Sequence, residues 1–149
     1  MMNKLLGILI ATCFSVQVYA FPCFFTVAKD RCWGTYNVTV TAFNATNDQQ
    51  ITSVVIPEGT FWQRQKFECD PKQKLRFQAE FTPVFWQSDT GKTYAGLNFW
   101  TLPNQVAAGD TAWNVTICFP GDFAEVPFPP EGDSKCKCDL SAIPAIKPQ

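Results

Sequence analysis

The sequence predicts an all-β fold: an antiparallel β-sandwich of about seven strands, stapled by disulfides and followed by a proline-rich C-terminal tail. Three observations predict it. Short runs of alternating apolar and polar residues recur at a spacing of roughly 8–15 residues, with turn chemistry between them. No segment combines a 3.6-residue apolar period with good helix formers over ten or more residues, roughly the length at which helices become informative. Beyond an apolar N-terminal stretch, the cysteines Cys23, Cys32, Cys69, Cys118, Cys136 and Cys138 form an even set, which suits a disulfide framework.

The first strand is expected near residues 24–28. From Tyr36 the alternation is regular: Tyr36, Val38, Val40 and Ala42 take one face, and Asn37, Thr39 and Thr41 take the other. A polar interval over 44–48 turns the chain into a hairpin, whose second run is marked by Ile51, Ser53 and Val55. Pro57-Glu58-Gly59 breaks the chain again. Phe61, Phe67 and Cys69 then share a face with Gln63 and Gln65, while Trp62, Arg64, Lys66 and Glu68 share the opposite one. Leu75, Phe77, Ala79 and Phe81 against Arg76, Gln78, Glu80 and Thr82 give the most amphipathic strand, ended by Pro83, which cannot donate to a central ladder. A turn over 89–92 precedes a strand expected at 94–102, loosened by Gly96 and stopped by Pro103. Last, Trp113, Val115, Ile117 and Phe119 alternate with Asn114, Thr116 and Cys118. Residues 122–126 have room for one short helical turn. Pro120, Pro127, Pro129, Pro130, Pro144 and Pro148 deny a regular ladder to the remainder, so residues 120–149 are expected to pack on the sandwich or trail from it.

Residues 1–20 have the form of a signal peptide. Met1-Met2-Asn3-Lys4 leads, residues 5–16 are apolar, and Val18-Tyr19-Ala20 closes on a small-residue cleavage pattern. This predicts a mature start at Phe21 and a secreted or periplasmic protein, with one sandwich domain over 21–119. The apolar run of about a dozen residues falls short of the roughly 20 that cross a bilayer, so no membrane span is expected. A lipidated Cys13 is the competing reading, and Thr12 stands against it where Gly, Ala or Ser would be expected.

Twelve basic and thirteen acidic residues are spread without a block of either sign, which leaves no clustered basic surface for nucleic acid. The chain has no histidine, so Ser-His-Asp and Cys-His catalysis are excluded and the commonest metal ligand is missing. Glu80, Asp89, Asp110, Asp122 and Glu125 could supply a carboxylate pair for hydrolysis, but in a small sandwich such residues are usually solvated turns and strand faces. No enzyme and no cofactor are expected.

Joining Cys136 to Cys138 would close a small strained ring, which removes three of the fifteen pairings open to six cysteines. Cys118 lies opposite the apolar face of its strand and so faces the tail. Cys136 or Cys138 is expected to bridge to Cys118 or to another body cysteine, each closure adding about 2–4 kcal/mol. The competing reading treats Cys136-Lys137-Cys138 as a thiolate pair for Cu(I) or zinc. It lacks the second knuckle or the histidines of structural zinc sites, so no metal is expected.

Trp33, Trp62, Trp86, Trp100 and Trp113 stand on different elements. Trp113 shares a face with Val115 and Ile117 and is assigned to the core; Trp62 and Trp86 are the candidate contact residues, one on a charged face and one beside a turn. Asn37, Asn44 and Asn114 open Asn-x-Thr sequons, which threonine-rich strands also generate without any glycan.

The phrases Phe21-Pro22-Cys23-Phe24-Phe25, Pro83-Val84-Phe85-Trp86, Asp110-Thr111-Ala112-Trp113-Asn114 and Cys118-Phe119-Pro120 resemble those of a family of small uncharacterised exported bacterial proteins, a resemblance that implies no activity. The strand pattern also resembles immunoglobulin-like and transthyretin-like sandwiches, which implies fold alone. The function expected is binding or interaction, with an unidentified protein partner or glycan as the ligand. A glycan-binding module using exposed tryptophans is the alternative, and a small carboxylate-dependent hydrolase the third choice.

Overall fold

A computed structural model of the chain describes Cys13, residues 20–133 and residues 136–149. The segment carrying the expected signal peptide, residues 1–12 and 14–19, lies outside the described residues. Eight strands follow in order: β1 (Phe21–Lys29), β2 (Asn37–Asn44), β3 (Gln50–Ile56), β4 (Trp62–Cys69), β5 (Lys74–Thr82), β6 (Tyr94–Ala95), β7 (Trp100–Thr101) and β8 (Trp113–Phe119). They form an all-β sandwich of two sheets. One runs β4-β1-β8; the other runs β3-β2-β5-β6, with β7 also paired to β5. All pairings are antiparallel except β1 with β8, which run parallel from Cys23↔Trp113 to Lys29↔Phe119.

The period-two pattern produces the core directly. Val38, Val40 and Ala42 of β2, Leu75, Phe77, Ala79 and Phe81 of β5, and Trp113, Val115, Ile117 and Phe119 of β8 are all buried. Phe25 and Val27 of β1, in the same sheet as β8, face the β2 and β5 residues of the other sheet, and the Phe25 and Phe77 rings stack across the interface at 5.6 Å. Each such side chain contributes about 1.5–3 kcal/mol relative to leaving it in water. At one end the core is aromatic: Trp33 lies 4.7–5.7 Å from the rings of Tyr36, Phe81, Phe85 and Phe119.

Three details depart from expectation. In β3 the inward residues are Thr52, Val54 and Ile56, and Val55 is exposed. The run 51–56 carries apolar residues in both registers, and an irregularity between Ala42 and Phe43 resets the pairing. The strand expected at 94–102 is two short pieces. Gly96 lies so close to β5 that a Cβ there would stand 3.2 Å from Phe77 Cβ, and the Leu97 N–H is drawn away to Asp122 O. Residues 122–126 hold no helical turn, because Phe123 bridges to Gly96 and Glu125 takes a positive φ of 57°. Short 3₁₀ turns form elsewhere, at Arg31–Trp33, Gln87–Asp89 and Leu140–Ala142.

Three disulfides join Cys23 to Cys69, Cys32 to Cys136, and Cys118 to Cys138. The first ties β1 to β4. The other two carry the C-terminal segment onto the sandwich: from Cys138 onward it runs over the outer face of β4-β1-β8, where Arg64 Nη2 donates to Pro144 O at 3.0 Å. That cover explains why Thr26 and Ala28, which alternate with the core residues of β1, are nonetheless buried.

Candidate functional site

The outer face of β4-β1-β8 brings together residues that sequence order keeps far apart. Arg64 pairs with Thr26 in the β1–β4 register, and Thr26 pairs with Thr116 in the β1–β8 register. Their side chains form one relay. Arg64 Nε donates to Thr26 Oγ1 at 2.8 Å, the Thr26 hydroxyl donates to Asn114 Oδ1 at 2.8 Å, and Asn114 Nδ2 donates to Thr116 Oγ1 at 2.9 Å. A groove of about 540 Å³ opens above this row, walled on its far side by Leu140, Ile143 and Ile146 of the C-terminal segment.

Beside it, where β4 begins, lies a second cleft of about 330 Å³ lined by Lys29, Arg31, Phe61, Trp62, Asp139 and Ala142. Trp62 is half-buried, with the Arg64 guanidinium 5.5 Å from its ring, and Phe61 is 43% exposed. Arg31 and Asp139 form an ion pair at 3.4 Å across the mouth. The Asp139 carboxyl is held below the usual range, first by hydrogen bonds from Ser141 and then by Arg31. At the base, Lys29 is a buried amine that donates to Tyr36 O at 2.7 Å and Pro57 O at 3.0 Å. Burial lowers its pKa to about 8, and Glu58 pulls the other way.

Trp86 is 60% exposed in the loop after β5, its ring edge-on to Phe85 at 5.9 Å. Strand direction places Trp62 and Trp86 at the same end of the sandwich, since β4 starts where β5 finishes, but no ring contact joins them among the described residues. Trp113 is buried against Phe21 at 4.6 Å, and its indole N–H donates to Asp110 Oδ2 at 3.2 Å.

The carboxylates considered for hydrolysis are dispersed. Asp110 also accepts from Ala107 N, Asp122 accepts from Cys118 N at 2.6 Å, and Glu80 and Glu125 are exposed on β5 and in a loop. Asp89 belongs to a 3₁₀ turn. Ligand atoms of Asp30, Cys32 and Cys136 lie within 4.8 Å of one another, yet the two sulfurs are bonded together and Asp30 accepts from Cys32 N at 2.7 Å. Of the sequon residues, Asn114 has both ends of its amide engaged in the relay, and Asn37 accepts from Glu58 N.

Lys29, Arg64, Thr26 and Thr116 were not singled out from sequence. The alternation already puts Arg64, Asn114 and Thr116 on outward faces; what sequence lacks is the parallel pairing that sets β8 beside β1. Comparisons with protein-family models, with curated proteins and with solved structures found no match for this chain.

Proposed function

We propose that this chain is an exported binding protein whose partner is another protein, contacted through the end of the sandwich that carries Phe61, Trp62 and Trp86. The observation that carries this reading is the Trp62 cleft. It presents two aromatic rings, an arginine and an ion pair at a concave mouth, the residue types that concentrate binding energy when a partner excludes water from them. Three disulfides support an oxidising compartment, and no helix among the described residues is long and apolar enough to cross a membrane. A glycan is the second reading, favoured by the half-exposed Trp62 ring lying beside the hydrogen-bonding groups of Arg31 and Asp139.

The test uses immobilised full-length oxidised protein, presented separately with the exported protein fraction of its source cell and with a glycan panel. Retention of a defined protein by the wild type, lost in Trp62→Ala or Trp86→Ala, supports the first reading. Glycan retention lost in Trp62→Ala supports the second. Retention that neither variant changes overturns both.

A further inference from the structure

The groove above the Arg64 relay is a separate feature, and Trp62 does not line it. Its chemistry is one-sided. Each hydrogen bond along the row points the same way, from Arg64 through Thr26 and Asn114 to Thr116. Every acceptor along it is thereby used by a neighbour, and the hydroxyl proton of Thr116 has no acceptor among the described residues. The guanidinium keeps further N–H groups beyond those given to Thr26 and Pro144, and it forms no ion pair among the described residues. No carboxylate lines the groove; its one formal charge is that of Arg64. What remains unsatisfied is a set of donors around a positive charge, while the opposite wall of Leu140, Ile143 and Ile146 is aliphatic.

We infer that this groove binds a small aliphatic carboxylate, its carboxyl group on Arg64 and Thr116 and its hydrocarbon body against the C-terminal segment. A carboxylate brings an opposite charge and two acceptor oxygens that match the guanidinium fork, and a neutral head group of similar size brings neither. The volume of about 540 Å³ lies within the ordinary range for small-molecule sites. The Arg64 guanidinium also lies 5.5 Å from the Trp62 ring, a cation–π contact that helps to hold it in place before any ligand arrives. Thr26, buried and bonded on both sides, holds the guanidinium in register with β8.

The experiment is calorimetric titration of the full oxidised chain with octanoate, octanol and acetate, which separate head group from tail. Octanoate is expected to bind saturably, with octanol and acetate weaker by at least about tenfold. Arg64→Met should weaken octanoate by at least about tenfold, and Thr116→Val by about fivefold, the latter without touching the bond to Pro144. Circular dichroism on both variants confirms folding, and Arg64→Lys should recover part of the affinity lost in Arg64→Met. Octanol binding as tightly as octanoate, octanoate affinity unchanged in both variants, or no saturable octanoate binding overturns the assignment. So does tighter binding of an aliphatic tripeptide with a free C-terminus, which would make chain ends, not free acids, the ligand.

Discussion

Trp33→Ala removes the centre of the aromatic end of the core. Trp33 is 1% exposed, and its ring meets four others, Tyr36, Phe81, Phe85 and Phe119, at 5.1, 4.7, 5.7 and 4.9 Å. The first and third belong to loops flanking the sandwich, the second to β5 and the last to β8, so the indole joins both sheets to the chain that caps them. Truncating a buried tryptophan costs about 3–5 kcal/mol from lost transfer energy and an incompletely collapsed cavity. The upper half of that range is expected here, because Phe81 and Phe119 are held by β-ladders and resist closing the space, and the lost ring contacts, about 0.5–1.5 kcal/mol each, push the cost towards the top of the range. For a domain of this size the change lowers Tm by roughly 10–20 °C. The assay is equilibrium urea unfolding of wild type and variant with disulfides intact, followed by far-UV circular dichroism. A shift of the midpoint at constant slope gives the free energy. A loss below about 1 kcal/mol would refute the reasoning, since it would mean the cavity refills or the ring is not enclosed.

Trp113→Ala should likewise cost about 3–5 kcal/mol, while Trp86→Ala should leave urea unfolding within about 0.5 kcal/mol of wild type; equal losses would place Trp86 in the core. Replacing both Cys118 and Cys138 by alanine opens a closure of 20 residues and should cost about 3 kcal/mol, with faster proteolysis after residue 138; unchanged stability would mean other contacts hold the segment. The folded-state pKa of Lys29, about 8, lies below its ordinary 10.5, so its burial penalty is full below pH 8 and fades as pH rises towards 10.5. Wild type should therefore gain Tm relative to Lys29→Met between about pH 7.5 and 9.5, and parallel curves would refute the lowered pKa of this amine. The Tyr94 hydroxyl is buried without a partner among the described residues, so Tyr94→Phe should be neutral or stabilising by up to about 1 kcal/mol; a clear loss by urea unfolding would reveal a bond to that hydroxyl.

The strands with one strict apolar face were legible because their pattern permits a single register. β2, β5 and β8 have tertiary roles that follow from which of two alternating sets is apolar. β3 was not legible: Ile51, Val54, Val55 and Ile56 suit either face, and the choice is made by pairing with β2 beyond a register shift. The span 94–102 misled because its aromatics, Phe99 and Trp100, have the propensity of a strand, while Gly96 and the Asp122 carbonyl impose a loop. Cys118 could be aimed at the tail from the alternation alone, but which of Cys136 and Cys138 meets it depends on the path of the tail. Trp62 and Trp86 could be named as candidates without any sign that strand direction puts them at one end. The relay of Arg64, Thr26, Asn114 and Thr116 spans 38 positions from Thr26 to Arg64 and 88 from Thr26 to Asn114, and no local signal reaches that far.

The parallel pairing of β1 with β8 fixes the order in which this molecule can be completed. β1 is the central strand of its sheet, yet one of its two neighbours is the last strand in the chain. A chain emerging from its N-terminus can form the β1–β4 ladder and lay β2 and β5 over Phe25 and Val27 early, but it carries the bare edge of β1 until residue 119 is available. The cover over Thr26 arrives later still, with residues 138–146. Every intermediate before β8 arrives exposes the hydrogen-bonding edge of β1, which invites strand exchange with a second copy. Such a chain is safest when it is kept from pairing until residue 119 is free, so that β8 closes the edge of β1 as soon as that edge forms.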